Sequence, residues 1–177
     1  ILTLYAFSTE NWNRSEYEVR VLMRLFRSEL LKQTDELYAN NICARFIGSR
    51  TKLPPVLVRA MEALEDRTSQ NDGLILQIAI NYGGRQDIIN GMQALGREIK
   101  AGRINPELLS EEDISDVIST AGVRDPDLII RTSGEMRLSN FLLWQAAYSE
   151  FVFVKQHWPE FTKEDFAKIL HQVSFRD

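Results

Sequence analysis

A chain of 177 residues is long enough for one domain with a sizeable buried core, and 44% hydrophobic with 26% charged residues is ordinary for a globular protein. The formal net charge of −4 argues against nucleic acid as the main partner, because nucleic-acid binding needs a concentrated basic surface. No apolar run reaches the roughly 20 residues that span a bilayer, and no signal peptide is recognisable, so we expect a protein that is soluble or peripheral to a membrane. A single cysteine suits a reducing compartment such as the cytoplasm.

Elements in the first half of the chain are recognised by apolar periodicity. In chain order the pattern predicts a strand at 2–8, a polar loop at 9–15, a helix at 17–39, a strand at 43–47, a helix at 56–66, a strand at 74–80 and a helix at 85–100. The strand at 74–80 is almost continuously apolar, which is typical of a strand buried on both faces of a parallel sheet. The single cysteine, Cys43, cannot form an internal disulfide, and we expect it to be buried in its strand.

The second half continues the alternation with shorter elements. Ser110 and the acidic residues after it predict a helix start, and Thr162 is predicted to cap a last helix. Between them the pattern predicts a strand at 127–130, a helix at 140–147 and a strand at 151–154. Strands that alternate with helices indicate one α/β domain over residues 1–177, built on a largely parallel central sheet flanked by helices.

Polar clusters follow three of the predicted strands, at 8–14, 81–85 and 131–139. Because ligands of parallel α/β sheets bind beyond the carboxyl ends of the strands, we expect the clusters to lie along one rim. Guanidinium groups match phosphate oxygens, and small residues let backbone N–H groups approach an anion. Arg14, Arg131 and Arg137 therefore predict a cradle for a phosphate or diphosphate.

Each cluster also has a purely structural interpretation. Arg131 could pair with a carboxylate such as Glu135, while Ser139 caps the helix after it. For the 81–85 cluster the structural interpretation is favoured, because Gly83 and Gly84 could simply form a strand-to-helix turn.

Glu150 precedes the last predicted strand, where an unpaired carboxylate would be costly to bury. It therefore needs a cation: from pattern alone an arginine is preferred, and Mg²⁺ becomes attractive if a diphosphate is bound. His157 and His171 lack ligand-like spacing, which argues against a zinc site. Ser133 lacks the surroundings of a hydrolase nucleophile, and the chain has no nucleoside-triphosphate loop motif.

Three longer segments carry a resemblance to a known family. "LTLYAFSTENWNR" at 2–14, "INYGGRQDI" at 80–88 and "DLIIRTSGEMRLSNFLLWQAAYSE" at 127–150 closely resemble the cis-prenyltransferases of the undecaprenyl diphosphate synthase type, in family order and over nearly the whole chain. The resemblance implies an enzyme that condenses isopentenyl diphosphate repeatedly onto an allylic diphosphate, commonly farnesyl diphosphate. It also implies Mg²⁺, a homodimer, and a long polyprenyl diphosphate product that is the precursor of a lipid carrier.

The resemblance further implies roles for single residues. Those that would bind the diphosphate of isopentenyl diphosphate are Arg131, Arg137, Leu138 and Ser139, with Glu150 contributing to the Mg²⁺ site. Those that match the substrate-contacting segment are Ser8, Thr9, Glu10, Trp12 and Arg14. Asn11 matches the position assigned as proton acceptor, and with Arg14 it is a catalytic candidate. An amide is a poor base at neutral pH, so we expect Asn11 to orient isopentenyl diphosphate while a diphosphate oxygen accepts the proton.

The chain departs from the family pattern in several places. The Asp-Gly-Asn-Gly-Arg-Trp-like segment, which binds the allylic diphosphate, and the basic tail of many bacterial members are absent from these residues. The strand-like start at Ile1 leads us to expect preceding sequence. Met136 stands where some members have histidine, so no histidine role is carried over.

The resemblance also implies a long apolar tunnel for the growing chain. Leu74, Leu76, Ile78 and the helical face at 19–37 could line it, although the same residues could equally form an ordinary core. A noncatalytic partner subunit is the alternative function, and another α/β phosphate-binding protein is a remote one. The enzyme is favoured because Asn11, Arg131 and the other motif residues are retained. The primer and the product length stay open.

Overall fold

The computed structural model describes residues 1–174, in a first compact unit at Ile1–Ala121 and a second that begins at Gly122. The first unit contains strands β1 (Leu2–Ser8), β2 (Cys43–Ile47) and β3 (Ile75–Tyr82), and helices α1 (Glu16–Ala39), α2 (Pro55–Thr68), α3 (Gly84–Lys100) and α4 (Glu111–Ser115), with short 3-10 helices at Thr9–Asn13 and Pro106–Leu108. The second unit contains β4 (Leu128–Arg131), β5 (Glu150–Phe153), a 3-10 helix at Trp158–Glu160 and α5 (Lys163–Ser174).

The first unit is built on a three-stranded parallel sheet in the order β1-β3-β2. The almost continuously apolar strand is the central one, and its last four residues are buried. The pairing of β1 with β3 is irregular near its end, where Phe7 pairs with Ile80 but Ser8 pairs with Tyr82. Parallel strands that alternate with helices confirm the predicted α/β class.

The core of the first unit lies where α1 and α2 pack against each other and against the sheet. Leu57 and Leu64 of α2 are fully buried, and Phe7 of β1 and Met61 of α2 are 1% exposed. Burying one such side chain contributes about 2 kcal/mol to folding, so these helices hold the strand ends in place. Of the strand residues that could line the predicted tunnel, Leu74 is 42% exposed, whereas Leu76 and Ile78 are half-buried. The tunnel itself stays a prediction.

In the second unit, β4 and β5 form a two-stranded parallel sheet. The predicted cap of the last helix is confirmed: the Asp165 N–H donates to Thr162 Oγ1 at 3.1 Å, and the Thr162 N–H donates to Asp165 Oδ2 at 3.1 Å. Among residues 1–174, no helix combines the length and apolarity that crossing a bilayer requires.

Three local predictions need correction. The predicted helix at 140–147 is wrong: the segment forms successive turns, because Ser139, Asn140 and Leu142 have φ values of 49°, 65° and 45°, outside the right-handed helical region. The predicted loop at 9–15 contains a 3-10 helix. Cys43 lies in β2 as predicted, but it is half-buried rather than buried.

Candidate functional site

The segment 8–14 turns sharply at the carboxyl end of β1. The Ser8 N–H donates to Asn11 Oδ1 at 2.9 Å, and the Arg14 N–H donates to the Asn11 carbonyl at 3.1 Å. Asn11 therefore closes the 3-10 helix with both its side chain and its backbone. Asn11 is half-buried, whereas the Arg14 side chain is exposed and so open to solvent and ligands.

The beginning of α1 fixes the other side of this segment. Ser15 Oγ accepts from the Glu18 N–H at 3.3 Å and donates to Glu18 Oε2 at 2.7 Å. The Glu18 carboxylate accepts from the Ser15 hydroxyl and also from the Ser15 N–H, the latter at 3.2 Å, and these two hydrogen bonds lower the pKa of Glu18 below its ordinary value. Within the segment, Thr9 Oγ1 donates to Glu10 Oε2 at 3.2 Å, so the Glu10 carboxylate also has a local partner.

Trp12 joins segment 8–14 to the end of β3. Its Nε1–H donates to Asn81 Oδ1 at 2.7 Å, and its ring packs edge-on against Phe7 with centroids 5.2 Å apart. The structure therefore brings two of the three polar clusters together at the carboxyl ends of adjacent strands, as predicted. The turn interpretation of Gly83 and Gly84 is confirmed, since α3 begins at Gly84.

Sequence reasoning missed the importance of Asn81. This residue is 5% exposed and has a left-handed φ of 52°. The available signal was a polar amide near the end of a largely apolar strand, two residues before Gly83 and Gly84.

The third cluster lies in the second unit, where Arg131 ends β4. The Arg131 guanidinium donates from Nη2 to Ser139 Oγ over a long 3.4 Å, so these two predicted ligands are neighbours. Arg137 instead pairs with Glu135 at 2.7 Å. The structural interpretation of this cluster was therefore wrong in its details. Glu135 pairs with Arg137 rather than with Arg131. Ser139 is followed by turns rather than by a helix that it could cap.

The backbone of this loop is held by the chain beyond β5. Ser133 and Gly134 have φ values of 66° and 67°, and their N–H groups donate to the carbonyls of Gln156 and Val154 at 2.8 and 2.9 Å. Because these two N–H groups already have carbonyl partners, an anion bound at this loop would contact side-chain donors instead. Leu138 is half-buried, while Met136 is 77% exposed.

Glu150 is the first residue of β5 and lies opposite Leu128 of β4. Its side chain is half-buried, and its N–H donates to the Asp127 carbonyl at 2.9 Å. Within residues 1–174, no group of three or more His, Cys, Asp or Glu side chains is arranged to hold a metal ion.

Comparison with known proteins decides the family. The model of the family described as "Putative undecaprenyl diphosphate synthase" matches residues 1–177. The chain belongs to this family. Isoprenyl transferases of Rhizobium meliloti and Bacillus subtilis are each 47% identical to it over 176 residues, which cover 99% of the chain and 71% and 68% of those proteins. The resemblance noted in the sequence is thus confirmed, and the protein is a prenyl transferase.

Two solved structures share the fold. Lavandulyl diphosphate synthase from Lavandula x intermedia, determined in complex with dimethylallyl diphosphate, has a TM-score of 0.94 and 34% identity, covering 97% of this chain and 75% of that one. A probable undecaprenyl diphosphate synthase from Campylobacter jejuni has a TM-score of 0.87 and 32% identity, covering 99% and 80%. These matches confirm the predicted fold class.

Proposed function

We propose that this prenyl transferase condenses isopentenyl diphosphate repeatedly onto farnesyl diphosphate, in cis additions, to make a long polyprenyl diphosphate. The observation that carries the proposal is the pair of Arg131 and Ser139 at the carboxyl end of β4, with Arg137 in the same loop. Two guanidinium groups and a hydroxyl match the oxygens of one diphosphate, and charge-assisted hydrogen bonds are the strong ones.

Within this loop, we assign Arg131, Arg137, Leu138 and Ser139 to isopentenyl diphosphate. The ion pair of Arg137 with Glu135 does not oppose this assignment. Its side chains are 70% and 36% exposed, and exposed ion pairs contribute little free energy. A diphosphate, with several negative charges, would therefore draw Arg137 away from Glu135 or share it.

Breaking the allylic carbon–oxygen bond leaves negative charge on the departing diphosphate, so fixed positive charge near that group lowers the barrier. Arg14 at the end of segment 8–14 is exposed and can supply such charge. Glu150 is the carboxylate that would hold Mg²⁺, an ion that takes one or two carboxylates together with substrate phosphates. When bound, Mg²⁺ would neutralise charge on the diphosphate that it contacts.

The geometry of Asn11 favours an orienting role over proton acceptance. Its Oδ1 already accepts from the Ser8 N–H at 2.9 Å, which leaves the Nδ2 end of the amide, a donor, for contact with substrate. A donor can hold a diphosphate oxygen but cannot take a proton. We therefore assign the released proton to a diphosphate oxygen, while Ser8, Thr9, Glu10 and Trp12 complete the substrate-contacting segment.

Two further properties belong to the proposal. A homodimer is consistent with the stacked rings of Phe151 and Phe153, which are 38% and 40% exposed on β5. Because the product would be a lipid, we propose that the protein works in the cytoplasm and associates transiently with the membrane surface.

The test uses the protein with any native residues that precede Ile1. It is mixed with Mg²⁺, labelled isopentenyl diphosphate, and either farnesyl or dimethylallyl diphosphate, and the products are sized. We expect a series of long products from farnesyl diphosphate. A single short product from dimethylallyl diphosphate alone would replace the long-chain assignment. No product with either primer would favour the noncatalytic partner.

The variant Arg131→Ala tests whether Arg131 binds isopentenyl diphosphate. We expect it to lower kcat/KM for isopentenyl diphosphate by about 100-fold, because charge-assisted hydrogen bonds contribute about 1.5–3 kcal/mol each. Arg124→Ala is the matched control, since Arg124 is an exposed arginine of the same unit paired with Asp127. Equal effects of the two substitutions would contradict the assignment of Arg131.

A further inference from the structure

Asn81 occupies a conformation that β3 would not adopt by itself. Its φ of 52° lies in the left-handed region, although the residue is part of a strand. The pairing with β1 is also irregular at this point: Ile80 and Tyr82 have partners in β1, and Asn81 between them has none in the register. Asparagine tolerates this region better than most residues, but at a cost in free energy. Such a conformation persists only where surrounding contacts determine it.

The contacts of Asn81 join the ends of all three strands of the first sheet. Its Oδ1 accepts from Trp12 Nε1–H at 2.7 Å, beyond the end of β1. Its Nδ2 donates to the carbonyls of Ser49 and Thr51, both at 2.9 Å, beyond the end of β2. Both amide hydrogens and the amide oxygen are therefore used, by two separate loops.

Trp12 is the link from Asn81 to the substrate. It lies in segment 8–14, one residue from Asn11 and two from Arg14, and it is held on its other side by Phe7. A half-buried indole has a polar N–H that needs a partner, and Asn81 is that partner. The orientation of the Trp12 indole therefore depends on the orientation of the Asn81 amide.

We propose that Asn81 is a positioning residue, which acts through Trp12 to hold segment 8–14 in its substrate-binding geometry. This inference rests on the proposed function of that segment. A merely structural Asn81 would tie the loops together without affecting substrate affinity, and the two roles give different results in the following experiment.

Three variants form a cycle: Asn81→Gly, which keeps the left-handed backbone accessible but removes the amide, Trp12→Phe, which removes the indole N–H, and the double variant. We expect each single substitution to raise KM for isopentenyl diphosphate about five-fold, the order expected for one net hydrogen bond. The double variant should have the same KM as the single ones, because both single substitutions remove the Trp12–Asn81 hydrogen bond. The bonds to Ser49 and Thr51 that Asn81→Gly also removes should affect stability rather than KM.

Asn71→Gly is the matched control. Asn71 also donates through Nδ2 to two backbone carbonyls, those of Tyr38 at 3.3 Å and Ile42 at 2.9 Å, but at the opposite, amino end of β2 and β3. We expect it to lower the melting temperature and leave KM unchanged. Single effects at Asn81 and Trp12 that multiply in the double variant, or an Asn81→Gly enzyme that loses stability with normal KM, would overturn the inference.

A spectroscopic readout separates this inference from the proposed function. In ¹⁵N-labelled protein the indole N–H signal of Trp12 is identified by its loss in Trp12→Phe. We expect Asn81→Gly, but not Asn71→Gly, to shift that signal and speed its exchange with solvent. An unchanged signal overturns the inference even in an active enzyme. An inactive wild-type protein overturns the proposed function, while the signal still decides whether Asn81 fixes Trp12.

Discussion

Replacing Gly48 by alanine should destabilise the first unit strongly. Gly48 follows β2 with a φ of 107°, and a Cβ there would lie 2.2 Å from the Ile80 carbonyl oxygen and 2.9 Å from that of Asn81. Ordinary van der Waals contact begins near 3.4 Å, so the backbone of the central strand would have to retreat by about 1 Å. The backbone conformation alone costs alanine about 1–3 kcal/mol, and with the clash we expect a loss of at least about 3 kcal/mol.

Replacing Gly96 by alanine should instead raise the free energy of unfolding. Gly96 lies on the exposed face of α3, and apart from the neighbouring backbone of the same helix no atom lies within 4 Å of the position of an added Cβ. Alanine is favoured over glycine inside a helix by about 0.5–1 kcal/mol. Urea unfolding of both variants, followed by circular dichroism, gives the two free energies. A Gly48→Ala protein within about 0.5 kcal/mol of wild type, or a Gly96→Ala protein less stable than wild type, would refute the reasoning.

Two further predictions concern hydrogen-bonded carboxylates. Glu65→Ala should lower the free energy of unfolding by about 1–2 kcal/mol, because Glu65 Oε1 accepts from the Phe46 N–H of edge strand β2 at 2.8 Å. Glu29, which forms an exposed ion pair with Lys32, provides the control. A loss no larger than that of Glu29→Ala would contradict the prediction. Thr162→Ala should return the pKa of Asp165, which hydrogen bonds to Thr162 now lower, toward its ordinary value. The lowered pKa means that Asp165 stabilises the fold above about pH 4 and loses this effect as pH falls through the folded-state pKa. A carboxyl titration by NMR checks the shift, and an unchanged Asp165 pKa in the variant would contradict it.

The order of helices and strands was predictable because it depends on apolar periodicity, a property of the residues themselves. The helix predicted at 140–147 failed because periodicity does not report φ. Asn140 is a residue that tolerates the left-handed region, but Leu142 is not, and its φ of 45° is imposed by the surrounding fold.

The candidate site was predictable in its residue types and less so in its partners. A run of arginines and hydroxyls after a strand indicates an anion site, but it does not say which arginine meets which carboxylate. Glu135 is closer in sequence to Arg137 than to Arg131, and the chain folds it onto the nearer one. The role of Asn81 depends on contacts with Trp12 and Ser49, which are far away in sequence and which local pattern cannot supply.

Backbone strain is concentrated in the segments that carry the candidate chemistry. In residues 1–174, seven non-glycine residues have positive φ. Five of them fall in the polar clusters or directly after the last one: Asn81, Ser133, Ser139, Asn140 and Leu142. Each such conformation costs of order 1–3 kcal/mol, so neighbouring contacts must enforce it. Asn81 is enforced by three side-chain hydrogen bonds, and Ser133 by its N–H bond to Gln156. Under the proposed function, a backbone held this way keeps the nearby substrate-binding side chains, such as Arg131 and Ser139, in place before substrate arrives. Donors that need no reorganisation are the ones that stabilise developing charge most effectively.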